Sequence, residues 1–224
     1  MTEQDFFIKR GLKIKFKKGD VLIRSEEDPA GIYFLKSGVV KMSTFFSDGT
    51  EITFNFFKPG SFFPMIWAIA ETKNSYDFQA VTDTEVYRVS KREVLLFLEK
   101  DNGVYSNLVK RILIGFDGLL GSLPYLLSGG STKRVAAAIL FLGRRFGQKA
   151  NEGLILNIKV RHEDLAGMAA LSRETVSLAI KRFERKGIIQ QKNRFIIIRN
   201  IERLKSLAGI EDFSTPPAIQ DTTV

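Results

Sequence analysis

Cysteine is absent from the chain, and histidine occurs once, at His162. Without thiols there is no disulfide, no Cys-ligated zinc site and no iron–sulfur cluster. One imidazole falls short of the several histidines a cupin-type metal centre needs. It also leaves too little for a Ser/His/Asp set. No Gly-rich phosphate loop and no Walker-type lysine is present. No stretch approaches 18 uninterrupted apolar residues, and MTEQDFFIKR lacks the apolar run of a signal peptide. These absences lead us to expect a cytoplasmic protein that is not an enzyme and does not cross a membrane.

What is present begins with length and charge. The chain has 224 residues, 44% of them hydrophobic, enough for one large domain or two small ones with a real core. The net charge is +9, and it is unevenly placed. Residues 1–127 carry 17 Lys/Arg against 16 Asp/Glu, whereas residues 128–210 carry 17 against 6. Such concentration points to a polyanionic partner for the second segment, nucleic acid or a membrane surface.

Residues 12–90 read as all-β. Lys18-Gly19-Asp20, Lys36-Ser37-Gly38, Ser47-Asp48-Gly49 and Lys58-Pro59-Gly60 mark turns between short β-branched and aromatic runs. Ser47-Asp48-Gly49 between VVKMSTFF and EITFNFF predicts a hairpin. PMIWAIAE (64–71) breaks the alternation and predicts a short helix with Pro64 near its first turn. Ser90 can cap a helix over KREVLLFLEK. A longer helix is expected from about Asn102. In it Leu108, Ile112, Phe116, Leu119, Leu123 and Leu126 recur every three or four residues, the pattern of a helix-pair seam. Gly115, Gly118 and Gly121 allow close backbone approach there, and Pro124 should kink or end the helix. A helix packed only on its own β-domain would show the same pattern, so both readings stand at this point.

Ser128-Gly129-Gly130-Ser131 reads as a linker. After it, TKRVAAAILFLGRRFG predicts a helix, GLILNIKV (153–160) a strand, residues 162–171 and 172–186 two short helices, and RFIIIRN (194–200) a strand following the turn Gln191-Lys192-Asn193. The tail 211–224 is polar, carries Pro216 and Pro217, and is expected to be disordered.

The two short helices carry the functional signal. Leu165, Met168, Leu171, Val176, Ile180 and Phe183 can share a small core, and Ser172 can cap the second helix. Two such helices joined by a tight turn make a helix-turn-helix, whose second helix enters the major groove. Its outward face would be Arg173, Glu174, Ser177, Leu178, Lys181 and Arg185. Arg173 could hold guanine through two bonds, and Glu174 could accept from a cytosine amine. Lys181, Arg182 and Arg185 suit phosphates, as do Lys192 and Arg194 in a following wing. Arg161 and His162, at the start of the first helix, are expected beside the phosphates too.

At residues 171–177 the chain reads L-S-R-E-T-V-S, and here it resembles the Crp-Fnr family of bacterial transcription regulators. The resemblance spans nearly all of residues 10–205 through the order of β-roll, short helix, long helix, linker and winged helix-turn-helix. It implies an α+β fold: a cyclic-nucleotide-binding-like β-roll with the long dimerisation helix over 1–127, and a winged helix-turn-helix over 128–210. It implies a homodimer on a palindromic operator in double-stranded DNA, with the seam at Leu108, Ile112, Gly115, Phe116, Leu119 and Leu123, and contact with RNA polymerase when activating. By that match Arg173 and Glu174 are base readers, with Ser172 and Ser177 in support.

The chain departs from the family pattern in three places. Leu178 stands where members usually carry an arginine; it cannot donate to guanine but can touch a thymine methyl. The helix-turn-helix turn, which often holds glycine, is Met168-Ala169-Ala170-Leu171. In the cyclic-nucleotide motif Met65 replaces the ribose-binding Glu, and Asn74-Ser75 replaces the phosphate-binding Arg-Ser. Asn74 offers neither charge nor fork to a phosphate, so no cyclic nucleotide and no other cofactor is expected. The apolar stretch Phe62, Phe63, Met65, Ile66 and Trp67 reads first as filled core and second, with Asn74 and Ser75, as an effector pocket. Two rival classes remain to be weighed. A cupin-like enzyme with a helical appendage fails on histidine. A basic scaffold or membrane-surface protein would need exposed bulky apolars on a basic helix, whereas residues 172–186 turn theirs toward the preceding helix.

Overall fold

The computed structural model describes residues 2–127 and 129–210. The expected disordered tail 211–224 and the Leu126 side chain lie outside the described residues. The chain divides into two compact units, Met1–Ile114 and Gly115–Val224. The division falls inside the long helix rather than at the Gly-Ser linker, because that helix's first half is engaged by the N-terminal unit through Leu108 and Arg111.

The first unit runs α1 (Glu3–Arg10), β1 (Leu12–Phe16), β2 (Val21–Ile23), β3 (Ile32–Ser37), β4 (Val40–Phe45), β5 (Glu51–Phe57), β6 (Phe62–Phe63), α2 (Met65–Ala70), β7 (Asp77–Ala80), β8 (Thr84–Val89), α3 (Lys91–Lys100) and the start of α4 (Asn102–Leu127). Two four-stranded antiparallel sheets form, in the orders β1-β8-β3-β6 and β2-β7-β4-β5. Strand β3 shows how they pack. Its residues 32–35 are all buried, yet Tyr33 and Leu35 enter one core while Ile32 and Phe34 enter another. Alternation along a strand sends neighbours to opposite faces. One core fills the roll interior, where Phe57, Phe63 and Phe78 stack with centroids 5.0 to 5.9 Å apart. The other joins the outer face to the helices: Phe6, Phe7, Phe62, Met65, Val94, Leu98 and Leu108. Gly38, at φ 91°, is a required glycine, since a Cβ there would lie 2.5 Å from the Asp83 carbonyl oxygen.

Helix α1 was not legible as such, though its capping box is in the sequence. Thr2 Oγ1 accepts from Asp5 N at 3.1 Å, and Asp5 Oδ2 accepts from Thr2 N at 3.3 Å. Two expectations for α4 are corrected. Leu108 is only 2% exposed and belongs to the helix-side core of its own unit, not to a seam. Arg111 helps hold this half of the helix down: Nη1 lies 2.9 Å from Glu3 Oε2, Nη2 donates to the Gly60 carbonyl at 2.7 Å, and the guanidinium covers Phe62. Of the kink or end expected at Pro124, the end does not occur at that residue, since the helix continues to Leu127. The proline lies in the last turn, so the missing N–H removes one bond near an end that frays in any case.

The second unit contains the rest of α4, then α5 (Ser131–Phe146), β9 (Gly147–Ala150), β10 (Gly153–Leu156), α6 (His162–Ala169), α7 (Arg173–Arg185), β11 (Ile189–Lys192), β12 (Phe195–Ile198) and α8 (Ile201–Ala208). Its sheet has the order β11-β12-β10-β9. Helix α5 is the hub, with Val135, Ile139, Leu140 and Leu142 buried and α6, α7 and α8 packed around it. The strand expected over 153–160 stops at Leu156. Beyond it Asn157 N donates to the Phe146 carbonyl and Val160 N to the Arg194 carbonyl, which leads the chain out of the sheet toward α6. The strand expected over 194–200 is shortened for a different reason. Asn193 and Arg194 take left-handed φ of 51° and 68° and form the two-residue hairpin turn. Helix α8, capped by Asn200, and strand β9 were not anticipated.

Candidate nucleic-acid interface

Helices α6 and α7 form the expected pair. Leu165, Ala169, Val176, Ile180 and Phe183 are buried, and α6 packs against α7. Ser172 caps α7, accepting from Thr175 N at 3.2 Å. The turn is tighter than small residues alone would suggest. Ala170 sits at φ 48°, ψ 53°, a conformation that favours glycine. Arg134 of α5 donates to its carbonyl at 2.7 Å, and Leu171 N donates to the Ala166 carbonyl.

The outward face of α7 is as expected in direction. Arg173, Glu174, Leu178, Lys181 and Arg185 are exposed, while Ser177 is half-buried. Leu178 is 68% exposed, a bare leucine amid charged neighbours.

Hydrogen bonds and ion pairs divide this face into groups that are engaged and groups that are free. Ser177 Oγ donates to the Arg173 carbonyl at 2.9 Å and lies 2.7 Å from His162 Nδ1. The other ring nitrogen, Nε2, lies 3.3 Å from Gln191 Oε1. His162 therefore joins α6, α7 and β11. Arg161 is occupied as well: its Nη2 lies 3.2 Å from Oδ1 of the buried Asp164, whose Oδ2 accepts from the Arg161 backbone N–H at 2.9 Å. Arg182 donates to Thr132 Oγ1 at 3.1 Å, which turns it toward α5. Arg173 Nε lies 2.9 Å from Glu163 Oε1.

Acids in so basic a segment are informative. Of the six between residues 128 and 210, Asp164 caps α6, and Glu152, Glu163 and Glu202 pair with Arg199, Arg173 and Lys205. Glu184 accepts from Gln191 N. Glu174 alone has no partner among the described residues, and it points outward from the first turn of α7. Lys181, Arg185, Lys192 and Arg194 are likewise exposed and without side-chain partners among the described residues. Arg134, Glu163 and Gln191 were missed by sequence reasoning. Nothing in their local pattern marks them, since each matters through a residue distant in sequence or on another element.

The six effector candidates do not gather into one pocket. Phe62 and Met65 sit in the helix-side core, and Phe63 sits in the roll interior. Ile66 is 58% exposed and Ser75 is exposed. Asn74 is buried, and its amide donates to the Arg24 and Tyr76 carbonyls at 2.8 and 2.9 Å.

Comparison with known proteins completes the description. Residues 13–101 match the family model described as a cyclic nucleotide-binding domain, and residues 133–207 match the Crp-like helix-turn-helix domain. Together the two models cover well over half of the chain. The chain is a transcription regulator of the Crp-Fnr family. This Crp-Fnr regulator is 25% identical, over 213 residues, to the fumarate and nitrate reduction regulatory protein of Salmonella typhi, covering 93% of this chain and 82% of that protein. In fold it resembles a CooA variant from Carboxydothermus hydrogenoformans, with a TM-score of 0.76, 21% identity and coverage of 93% and 92% of the two chains. It also resembles a CRP/FNR-family regulator from Thermus thermophilus, with a TM-score of 0.70, 22% identity and coverage of 92% and 100%.

Membership by itself brings the name of a nucleotide-binding domain, so the roll must be tested for fit. Asn74, which the resemblance sets at the phosphate-binding position, has its amide engaged with backbone carbonyls, and Met65, set at the ribose-binding Glu, packs in a core.

Proposed function

We propose that this Crp-Fnr regulator binds a palindromic operator as a homodimer and reads it through Arg173, Glu174 and Leu178, without a cyclic nucleotide or other cofactor. The observation that carries the reading is Glu174. In a segment with 17 basic residues and 6 acidic ones, it is the acid left free among the described residues, beside an exposed arginine and an exposed leucine. A free carboxylate facing a phosphate backbone is unfavourable unless it reaches a base donor, and a cytosine amine is such a donor. Lys181 and Arg185 further along the helix, with Lys192 and Arg194 on the wing, would grip phosphates and set affinity. Ser177 would support by holding the helix, with Ser172 as its cap. Arg161 and His162 would sit near phosphate with part of their bonding capacity already used within the domain.

Dimerisation is supported by the exposed apolar stripe of α4. Ile112, Leu113, Phe116, Leu120 and Leu123 are 44 to 59% exposed on one helix, an arrangement a monomer in water rarely keeps. At Gly115, Gly118 and Gly121 an added Cβ would meet nothing within 4 Å, so the helix surface is open there to a close neighbour. Two such chains would present recognition helices to half-sites about 34 Å apart. A cytoplasmic setting and contact with RNA polymerase during activation complete the proposal. Among the described residues no helix is long and apolar enough to cross a membrane. Selecting bound sites from random duplex DNA tests the proposal: an inverted repeat is expected, and enrichment of no sequence would overturn it.

A further inference from the structure

The Arg173–Glu163 pair joins the second residue of α6 to the first residue of α7. A carboxylate beside a phosphate-binding face repels DNA, so its presence there needs a physical reason. Stability is not a strong one, because the two side chains are 62% and 47% exposed and such pairs contribute little. Geometry offers a better one. A guanidinium has five N–H donors in a rigid plane. Glu163 Oε1 lies 2.9 Å from Arg173 Nε, so the ion pair engages the guanidinium on the side nearest its own stem. What remains is the terminal Nη pair, the fork that matches guanine O6 and N7. The anchor is firm, since α6 and α7 pack together with Leu165, Ala169, Val176 and Ile180 buried. A free arginine side chain samples many rotamers, and fixing it before contact reduces the entropy lost on binding.

We propose that Glu163 is the positioning residue that gives Arg173 its sequence discrimination, at the expense of general affinity for DNA. The proposal rests on Arg173 being a base reader. Two effects of removing Glu163 then have opposite signs. Random duplex binds more tightly, because a negative charge near the phosphates is gone. The ratio of affinities for selected over scrambled duplex falls, because the fork is no longer held. A bidentate Arg–guanine contact supplies roughly 5- to 150-fold discrimination, and loss of its preorganisation should remove about three- to tenfold of it.

The test uses the full chain with a duplex obtained by site selection and a scrambled duplex of equal length. Affinities are measured for the wild type, Glu163→Ala, Glu163→Gln, Arg173→Ala and the Glu163→Ala/Arg173→Ala double variant, with thermal melting as a fold control. The expected result is tighter binding of scrambled duplex by Glu163→Ala and a reduced ratio. Glu163→Gln, which keeps the side-chain length and a polar oxygen beside Nε but loses the charge of the pair, should restore only part of the ratio. In the Arg173→Ala background Glu163→Ala should leave the ratio unchanged. An unaltered ratio in Glu163→Ala, or the same fall with and without Arg173, overturns the proposal. If Arg173→Ala itself leaves the ratio intact, Arg173 is not a reader and the underlying assignment fails as well, a result distinct from the other two.

Discussion

Leu178 is 68% exposed on the face that should meet the major groove, which makes it a sharp test of how this helix reads DNA. Burying a leucine fully stabilises by ~1.5–3 kcal/mol. About two-thirds of that is still available when DNA covers the side chain, or ~1–2 kcal/mol. Leu178→Ala should therefore weaken binding to the selected operator by roughly 5- to 30-fold, while the melting temperature stays unchanged because the side chain packs little in the free protein. The thymine methyl is the apolar group a leucine would find in the groove. Replacing that thymine with deoxyuridine deletes one methyl, worth about 0.8 kcal/mol or fourfold. Fluorescence anisotropy titrations should show this loss for the wild type and not for Leu178→Ala, since the contact needs both partners. If the wild type is indifferent to deoxyuridine at every thymine of the half-site, Leu178 reads no methyl and the reasoning is wrong.

Ala170→Gly should stabilise the second unit by about 0.5–1 kcal/mol in urea unfolding, because glycine occupies φ 48° without the strain alanine carries there; destabilisation would mean the turn relaxes in solution. Lys181→Ala should weaken selected and scrambled duplexes alike and reduce the salt slope by about 0.9, and an altered base preference would reassign it to reading. Phe116→Glu should shift the mass seen by light scattering from two chains toward one, because a charge replaces a 57% exposed ring in the apolar stripe; an unchanged dimer would place the interface elsewhere. The backbone N–H of Lys18, with the Lys17 ammonium, holds the Asp83 carboxyl below its ordinary 3.8. Its contribution is therefore present above pH 3.8 and is lost as pH falls through the lower folded value. Urea midpoints of Asp83→Asn should accordingly fall less steeply over that acid range than those of the wild type.

Much of this protein could be read from its residues because the deciding signals are local. The capping serines at 90 and 172, the Ser47-Asp48-Gly49 hairpin and the helical spacing of Val176, Ile180 and Phe183 act within a few residues of themselves, so sequence order is enough to specify them. The concentration of positive charge after residue 128 needs no fold at all. Expectation failed where the deciding partner is remote in sequence. Leu108 fits a seam by spacing, but only the roll of its own unit could show that its side chain is already covered. Arg194 reads as strand until the hairpin places it in a left-handed turn. The effector candidates lie close together in sequence, yet alternation along Phe62-Phe63 sends the two rings into different cores. At the DNA-facing surface the sequence by itself determined which groups lie on the outward face of α7. Only the tertiary structure decided which of them are free, because the bonds that engage Arg173, Ser177 and Arg182 come from Glu163, His162 and Thr132, and leave Glu174 and Leu178 open.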